Sequence, residues 1–482
     1  MMRRQLRAGA VIAVLALTSL SACQKKPSPA PVSRLSATAV LTASAPSAAA
    51  PPPEAPAQSL FKGVSWSRTS RSLATWGGCK CASGSRFEGG EPVVCPVRIW
   101  DLPLGRLAAT VETPCSHTIA HVGWSPSGDL FAISDFDSLR VWRLKDLARV
   151  FESEPLSSAG AFRWSPDGKL LLWGNSYGNA VLLRSESGEI VRRAEVLPPG
   201  AELDWDATWS DSGRFLAVTV ENGPLNIWDG HTGAVLRELR VSGVSPLDAI
   251  HLVWRPGSEQ LVFANDNGLL ATANAGIGAV EVLSRPKGAR RATRQTWITL
   301  RADGKLLAVN DGDGRLTLWD LASRRSRELL AQRASSWTSP VEFSRDLKYL
   351  ALLRQGKLEI VSADSPGKVR RFDLGAEATP HSLVGWGTDG HYHAVVGKTL
   401  ISFSPGGAES FRHEITEPSA GVTISPDGGF MAIAGQTLEI LRLRDRRSIK
   451  LVLRQVAGRT EGAVEGAPDA AALAAFFDGH GP

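Results

Sequence analysis

One local pattern recurs nine times between residues 61 and 455, and it constrains the fold more than any other feature of the chain. Each copy contains an apolar strand, a turn of the Ser-Pro-Asp-Gly type, a second apolar strand, a turn rich in Gly, Asn or Asp, and a third strand. The first strand of each copy ends at an anchor residue: Trp66, Trp124, Trp164, Trp209, Trp254, Leu300, Phe343, Trp386 or Ile424. Most anchors are roughly 40 to 45 residues apart, which indicates a repeat architecture.

Each repeat supplies three strands and an outer fourth one, such as residues 235–239, which together form a twisted antiparallel sheet. Such a sheet cannot bury its two apolar faces alone, so the repeats must stack on one another. Stacking in a ring buries both faces of every sheet, and the repeat length is that of a propeller blade. Asp-Gly pairs at 167–168, 303–304 and 427–428 supply the backbone angles that tight turns need. We therefore predict an all-β protein with a single β-propeller of four-stranded blades, with eight or nine blades favoured over seven.

The units resemble WD40 repeats over residues 61–455. The resemblance is carried by sequences such as Trp-Ser-Pro-Asp-Gly at 164–168 and Leu-Asn-Ile-Trp-Asp at 225–229. The Gly-His pair that precedes the first strand in that family is missing, and the third strand closes with Trp-Asp only at Trp100, Trp228 and Trp319. The resemblance implies a WD40-like propeller whose anchor tryptophans are structural. It does not imply the family's His/Asp hydrogen-bond network.

The first 22 residues have the three parts of a secretory leader: a basic start with Arg3, Arg4 and Arg7, an apolar stretch, and small residues. The apolar stretch, residues 8–20, is too short for a permanent membrane span. Leu-Ser-Ala-Cys at its end resembles the lipobox of bacterial lipoproteins, which implies that Cys23 is lipidated and becomes the mature N-terminus. We expect residues 1–22 to be a lipoprotein signal peptide and the protein to lie in the cell envelope, with the outer membrane favoured. A soluble exported protein and a twin-arginine leader are the alternatives.

The segment after the leader has the composition of a tether. Residues 24–59 hold eight prolines among alanines and serines, and almost no large apolar side chain. Such a segment cannot offset the entropy of ordering, so we expect residues 23–59 to be a lipid-anchored, disordered tether. It would span roughly 30 to 36 Å as a coil and up to about 110 Å when extended. Residues 60–455 form the propeller, and the Ala-rich acidic tail 456–482 contains a candidate short helix.

Four cysteines, Cys79, Cys81, Cys95 and Cys115, lie in the first repeat, and the stretch 79–96 explains its extra length. In an exported protein, an even set of nearby cysteines most often forms disulfides. We favour one bond from Cys95 to either Cys79 or Cys81, and a second bond from the remaining cysteine to Cys115. The alternative is a four-cysteine zinc site, although the paired Cys-x-x-Cys spacing of such sites is missing.

Three motifs suggest chemistry but favour structural roles. Residues 174–178 read Gly-x-Ser-x-Gly, yet they fall between two predicted strands rather than on the strand-to-helix turn of a serine hydrolase. The oxygen-rich turns at 265–268 and 310–314 lack the distant glutamate of a calcium loop. His391 and His393 are two apart on a predicted strand and project from one face, but no third ligand is close in sequence. We predict no metal and no cofactor.

The net charge of +6 includes three arginines of the leader and is spread along the chain, so we predict no nucleic-acid partner. Arginine-rich segments occur at 285–291, 324–327 and 444–447. On a propeller they fall on loops or outer hairpins, where charge keeps edges from pairing. We interpret them as solvated surface, with a contact to anionic lipid or an acidic protein as the alternative.

For function we expect a monomeric, non-catalytic scaffold that docks envelope proteins, because a propeller offers a broad rigid face of loops. No nucleophile, base and orienting group occur together in any predicted loop set. The alternative is a hydrolase or lyase whose site lies in the central funnel and uses residues from different blades. The candidates for that site are Asp137, Asp266, Asp311 and His391.

Overall fold

A computed structural model describes the chain between residues 61 and 478, with gaps. The described residues are 61–77, 93–115, 119–135, 137–156, 159–175, 179–195, 205–220, 225–241, 250–265, 268–285, 296–311, 314–331, 339–365, 367–375, 378–379, 382–406, 409–415, 421–456, 459–465 and 470–478. They form nine antiparallel sheets in a ring, eight with four strands and one with five. The prediction of an all-β propeller is therefore confirmed, and the number of blades is nine.

The strands of the first three blades are as follows. Blade 1 contains β1 (Gly63–Trp66), β2 (Ser72–Trp76), β3 (Val93–Asp101) and β4 (Arg106–Cys115). Blade 2 contains β5 (His121–Trp124), β6 (Leu130–Ser134), β7 (Leu139–Arg143) and β8 (Arg149–Glu152). Blade 3 contains β9 (Ala159–Trp164), β10 (Leu170–Asn175), β11 (Asn179–Arg184) and β12 (Ile190–Glu195).

The next three blades continue the same arrangement. Blade 4 contains β13 (Trp205–Trp209), β14 (Phe215–Val220), β15 (Leu225–Asp229) and β16 (Val235–Leu239). Blade 5 contains β17 (Ile250–Trp254), β18 (Gln260–Asn265), β19 (Leu270–Asn274) and β20 (Val280–Ser284). Blade 6 contains β21 (Trp297–Leu300), β22 (Leu306–Asn310), β23 (Leu316–Asp320) and β24 (Arg325–Leu330).

The last three blades complete the ring. Blade 7 contains β25 (Glu342–Phe343), β26 (Tyr349–Arg354), β27 (Lys357–Ser362) and β28 (Val369–Asp373). Blade 8 contains β29 (Leu383–Trp386), β30 (Tyr392–Val396), β31 (Thr399–Phe403) and β32 (Glu409–Glu414). Blade 9 contains β33 (Gly421–Ile424), β34 (Phe430–Ala434), β35 (Leu438–Arg442), β36 (Arg447–Val456) and β37 (Arg459–Glu465), and helix α1 (Ala470–Asp478) follows.

Strand order within each blade follows the sequence, with the first strand innermost and the fourth outermost. Because neighbouring strands are antiparallel, the turn after the first strand and the turn after the third strand lie at the same end of the blade. We call this end of the ring the turn face. The remaining connections lie at the opposite end, which we call the loop end.

The Ser-Pro-Asp-Gly sequence forms the turn after the first strand through its own side chains. In blade 3, the Ser165 hydroxyl accepts a hydrogen bond from the Leu170 N–H (2.9 Å) and donates one to Asp167 (2.7 Å). Gly168 has a φ of 74°, which favours glycine. The same bond from the second strand to the serine recurs at Ser125 and Ser210. Local chemistry therefore explains why the repeat is visible in the sequence.

Blades 1 and 9 close the ring without sharing a strand. The indole N–H of Trp66, at the end of β1, donates to the carbonyl of Thr423 in β33 (3.3 Å). The Phe61 N–H donates to the carbonyl of Gly435, at the loop end of blade 9 (3.0 Å). Phe61 and Trp100 share one buried cluster with Phe430 of blade 9. This junction joins residues more than 350 positions apart in the sequence.

The tail strengthens that junction. Strand β37, which the sequence interpretation assigned to the tail, pairs with β36 and lies against blade 1, where a Cβ on Gly462 would be 2.5 Å from the Trp100 ring. Helix α1 lies within the predicted helical region and buries Leu473, Phe476 and Phe477 in the cluster between blades 9 and 1. In the part of the chain that the structure describes, no helix is long and apolar enough to cross a membrane.

Candidate docking face

A cavity of about 590 Å³ opens on the turn face where blades 1 to 4 meet. We call it the tryptophan pocket. Its lining residues are Arg68, Trp124, Pro126, Trp164, Ser165, Pro166, Trp209, Ser210 and Asp211. Each tryptophan ends the innermost strand of its blade, and the other residues come from the turns that follow those strands. Trp124 and Trp209 are only 8% and 9% exposed, so the tryptophans present small parts of their rings beside the polar groups of the turns. Apolar surface with a few polar groups is typical of binding sites for small molecules or peptide segments.

The pocket is bounded at both ends by a change in the packing between neighbouring turns. In blades 2 and 3, the turn proline packs against the turn glycine of the next blade, and a Cβ on Gly168 would be 3.3 Å from Pro126 Cδ. Blade 1 has Arg68 at this proline position, and nothing lies within 4 Å of a Cβ on Gly128. Blade 4 has Asp211 there, whose carboxylate accepts a hydrogen bond from the Gly257 N–H (3.1 Å). The two replacements of proline therefore mark the two ends of the pocket.

The pocket has a cation at one end and a carboxylate at the other. Arg68 is exposed, and it makes no ion pair or hydrogen bond among the described residues. Asp211 is exposed too, but its carboxylate is engaged by the backbone of blade 5. Sequence reasoning missed both residues. Both replace the proline of the turn, but Ala302, Arg345 and Thr388 replace it in blades 6 to 8, so this departure alone does not single them out.

The anchor tryptophans differ in what their indole groups do. In blade 2, the Trp124 N–H donates to the carbonyl of Ser65 in blade 1 (3.1 Å). The indole nitrogens of Trp164 and Trp209 are buried and have no acceptor among the described residues. Two of the three tryptophans that line the pocket therefore lack this bond between innermost strands.

Exposed apolar side chains lie on the same face as the pocket, at the outer strands. Among the described residues, the large apolar side chains that are most exposed are Leu104, Ile190, Val235, Leu236 and Ile277. Leu104 and Ile277 lie in the turn after the third strand, and the other three begin an outer strand, so all five lie at the turn face. Those on blades 3, 4 and 5 form the aliphatic strip, defined as Ile190, Val235, Leu236 and Ile277. Sequence reasoning missed this strip, because each side chain is isolated in its own repeat.

The candidate catalytic residues do not converge. Asp137 lies between β6 and β7 and Asp311 between β22 and β23, so both are at the loop end, whereas His391 lies at the turn face before β30. Asp266 lies outside the described residues. Where the structure describes side chains, no three His, Cys, Asp or Glu residues are grouped as metal ligands would be.

The histidine pair belongs to a local polar cluster. His391 precedes β30 rather than lying on it, and its Nδ1 is 3.3 Å from Asp389. His393 is buried, and it contacts Ser402 through Nδ1 (2.8 Å) and Asp389 through Nε2 (3.3 Å). Burial raises the pKa of Asp389, but hydrogen bonds from His393 and the His391 backbone outweigh it and hold this pKa below its usual value. The cluster stabilises the turn between β29 and β30.

Two residues on innermost strands have strongly shifted pKa values. Burial raises the pKa of Glu342 on β25 to about 7. Burial, assisted by the charge of Arg163, lowers the pKa of His121 on β5 to about 4. The two residues belong to blades 7 and 2, which are not neighbours, so they do not form an acid–base pair. The pKa of Tyr392, fully buried behind Glu342, is raised by burial and by that carboxylate.

The cysteines are only partly described. Cys95 is fully buried on β3 and is disulfide-bonded. Cys79 and Cys81 lie outside the described residues, as does the side chain of Cys115, so the pairing stays a prediction. Cys23 also lies outside the described residues.

The turn motifs have structural roles where they are described. The Asn265 side chain accepts a hydrogen bond from the Leu269 N–H (2.9 Å), and the Asp311 side chain accepts one from the Arg315 N–H (2.8 Å). These oxygens therefore close their own turns, as asparagine and aspartate commonly do. The Gly-x-Ser-x-Gly segment connects β10 to β11, and residues 176–178 lie outside the described residues.

The described arginine-rich segments connect neighbouring blades. Arg324 pairs with Glu281 of blade 5 (2.8 Å), and Arg327 donates to the carbonyl of Ala363 in blade 7. Arg446 donates to the carbonyl of Ser410 in blade 8 (2.8 Å). Residues 286–291 lie outside the described residues.

Two comparisons match parts of the chain. A family model described as the anaphase-promoting complex subunit 4 WD40 domain matches residues 122–207, which span blades 2 and 3 and the start of blade 4. The target of rapamycin complex subunit wat1 of Schizosaccharomyces pombe is 35% identical over 89 residues, or 18% of this chain. The match covers 24% of that relative, so this chain spans about a quarter of its length.

Solved structures with a similar shape cover more of the chain at lower identity. The C-terminal WD40 domain of Sif2 is 13% identical, with a TM-score of 0.49, and the match covers 86% of this chain and 97% of that one. The dihydro-heme d1 dehydrogenase NirN is 15% identical, with a TM-score of 0.47, and the match covers 79% and 74%. The nine blades and the family match over blades 2 and 3 make the fold a WD40-like β-propeller.

Proposed function

We propose that this WD40-like propeller is a non-catalytic protein-docking scaffold, held in the bacterial cell envelope by a lipid on Cys23, and that a partner protein docks on the aliphatic strip. The observation that carries the proposal is the position of the exposed apolar side chains. Ile190, Val235, Leu236 and Ile277 lie on three successive blades at one end of the ring.

Exposed apolar groups on one rigid surface favour protein contact. Single exposed aliphatic residues are ordinary, but a row of them across neighbouring blades indicates an interaction surface. Several other outer strands begin with a charged residue, such as Arg325 on β24 and Glu409 on β32, which discourages edge pairing. The strip is therefore a local departure from the charged rim, and burying it against a partner would be favourable.

The lipid anchor and the strip are compatible in space. The described chain enters the ring at the loop end, where Phe61 bonds to Gly435, and the strip is at the opposite end. A proline-rich tether of 36 residues between Cys23 and the propeller would let this face reach a partner away from the lipid. The leader and lipobox sequence favour an envelope location, with the outer membrane preferred.

Docking is tested with two variants, one that introduces a glutamate in the aliphatic strip and one that introduces a glutamate at a matched position outside it. Leu236→Glu changes the second residue of β16, and Ser326→Glu changes the second residue of β24, which is exposed and lies on blade 6. Proteins crosslinked in intact envelopes are captured with wild type and both variants. We expect a defined companion to be lost with Leu236→Glu and retained with Ser326→Glu. Equal recovery with both variants would overturn the proposal.

The anchor is tested separately. Mass spectrometry of the N-terminal peptide of wild type should show acyl chains on Cys23, and Cys23→Ser should move the protein from the membrane to the soluble fraction. Unmodified Cys23, or a Cys23→Ser variant that stays with the membrane, would contradict lipid anchoring. Neither result would affect the test of the strip.

A further inference from the structure

We infer that the tryptophan pocket binds a proline-rich segment in the polyproline II conformation, and that its occupant is residues 49–58 of this same chain. The segment reads Ala-Ala-Pro-Pro-Pro-Glu-Ala-Pro-Ala-Gln. Binding would fold the tether back onto the propeller beside the aliphatic strip. The inference concerns the pocket, which is distinct from the strip, and does not require that the strip binds a partner.

The pocket has the chemistry that recognises proline-rich chains. Trp124, Trp164 and Trp209 line one cavity together with turn prolines and two serines. Aromatic-lined grooves bind proline-rich segments because the preformed polyproline II helix loses little entropy and presents flat rings to the aromatic faces. A volume of about 590 Å³ accommodates a few residues of such a helix rather than a folded element.

The charges are complementary. Arg68 stands at the edge of the pocket without an ion pair among the described residues. Glu54 is the sole carboxylate in residues 24–60 of the sequence, and prolines 51 to 53 precede it directly. A carboxylate beside Arg68 would complete a charge-assisted contact while the preceding prolines meet the tryptophans. This places Glu54 toward blade 1 and the prolines toward blades 2 to 4.

The chain is long enough for the contact to form within one molecule. Glu54 lies seven residues before Phe61, and Arg68 lies seven residues after it. Seven extended residues span at most about 25 Å. The stretch from Phe61 to Arg68 runs along β1 from the loop end to the turn face. If the chain turns back at Phe61, the seven residues before it can extend about as far toward the turn face.

The consequence is a tether with two lengths. With residues 49–58 on the pocket, only the chain between Cys23 and residue 49 separates the lipid from the propeller. With the segment released, all 36 residues between Cys23 and the propeller are available. A short connection also raises the effective concentration of the segment at the pocket, so weak intrinsic affinity suffices for occupancy.

The test uses the mature chain from residue 24 with residues 49–58 replaced by ten Gly/Ser residues. The probe is a synthetic peptide of residues 49–58, with binding followed by calorimetry and tryptophan fluorescence. We expect the chain with residues 49–58 replaced to bind one peptide per molecule. The intact chain should bind the peptide at least ten-fold more weakly, because its pocket is already occupied. A peptide with alanine at every proline should not bind.

Charge reversal makes the test specific. In the chain with residues 49–58 replaced, Arg68→Glu should weaken peptide binding about ten-fold, because it removes one exposed attraction and adds a repulsion. A peptide with Glu54→Arg should restore binding to that variant. Lys305→Glu, an exposed turn lysine of blade 6 outside the pocket, is the matched control and should leave binding unchanged.

Each other outcome overturns the inference. No binding to the chain with residues 49–58 replaced, or equal binding to that chain with and without Arg68→Glu, would remove the pocket as the site. Self-association of the intact chain that the replacement abolishes would show that the segment comes from a second copy instead. A negative result in the peptide measurement leaves the crosslinking test of the aliphatic strip unaffected, because no partner protein takes part in the peptide measurement.

Discussion

The indole N–H of Trp254 donates a hydrogen bond to the backbone carbonyl of Thr208, 2.9 Å away in the preceding blade. The same relationship joins Trp124 to Ser65 and Trp386 to Glu342. In every case the acceptor is the second-to-last residue of the neighbouring innermost strand. The repeated tryptophan position therefore joins blades to one another, in addition to filling each blade's core.

Trp254→Phe should destabilise the protein more than Trp209→Phe. Both changes remove similar apolar area, but only Trp254 has an acceptor for its indole N–H. A net hydrogen bond is worth about 1 kcal/mol, and Trp254→Phe also leaves the Thr208 carbonyl unpaired. Urea unfolding of both variants measures the difference. Equal losses of unfolding free energy would show that the bond contributes nothing.

Phe477→Ala should release helix α1 from the buried cluster between blades 9 and 1. Phe477 is 8% exposed, and its ring is 5.2 Å from that of Phe430 in blade 9. Removing a buried phenylalanine costs about 3 kcal/mol, and here the loss falls at the junction that closes the ring. Limited proteolysis should cut the tail of Phe477→Ala quickly and leave that of the exposed-site control Ala475→Ser intact. Equal resistance in both variants would contradict a closing role for α1.

Glu342→Gln should stabilise the protein above neutral pH. The folded pKa of Glu342 is raised by burial to about 7, against an ordinary value of 4.5. The folded state therefore holds this proton more tightly, so stability is highest below pH 4.5 and declines as the pH rises to about 7. Glu342→Gln removes that decline, a gain of about 2 to 3 kcal/mol at pH 8.

The measurement for Glu342 is the unfolding midpoint from pH 4.5 to pH 8. The matched control is Glu414→Gln, which changes an exposed glutamate on β32. We expect the midpoint of Glu342→Gln to exceed that of wild type increasingly with pH, while Glu414→Gln follows wild type. A constant offset for Glu342→Gln at all pH values would sink the explanation.

The pair His413–Glu439 should give blades 8 and 9 a stability optimum at mildly acidic pH. Their charged atoms are 3.1 Å apart. The close contact with the Glu439 carboxylate raises the pKa of His413, although burial opposes it. Burial raises the pKa of Glu439, but the interactions with His413 and Ser448 outweigh it and leave this pKa lowered.

The direction in which stability changes with pH follows from the pKa shifts of His413 and Glu439. The contribution of His413 is complete below its ordinary pKa of 6.5 and is lost as the pH rises through the raised value. The contribution of Glu439 is present above 4.5 and is lost as the pH falls through the lowered value. Between pH 6 and pH 8.5, wild type should lose unfolding free energy that His413→Gln does not lose. The exposed His231→Gln is the control and should retain the wild-type slope.

The sequence predicted the blade because the interactions that form it are local. Ser165, Asp167 and Gly168 bond to one another or to the next strand within five residues. The outer strand predicted at 235–239 is β16, and the anchor tryptophans end the innermost strands where the pattern placed them. The tail strand β37 was missed, because its partner β36 is recognisable only once the ninth sheet is formed.

The candidate site could not be predicted in the same way. Arg68 and Asp211 are 143 positions apart, and each is an ordinary turn residue in its own repeat. The aliphatic strip combines residues from three repeats, none of which is unusual alone. The residues proposed for catalysis failed to converge, since alternation of strand direction places His391 and Asp137 at opposite ends.

The amino-acid sequence by itself determined the repeated four-stranded unit, because turn chemistry and apolar alternation act over a few residues. The tertiary structure decided the number of units, the junction between blades 1 and 9 that joins residues 66 and 423, and the surface left exposed. The physical reason is that these features depend on the angle at which sheets pack. That angle is determined by many weak side-chain contacts between repeats, so the sequence of a single repeat does not specify it.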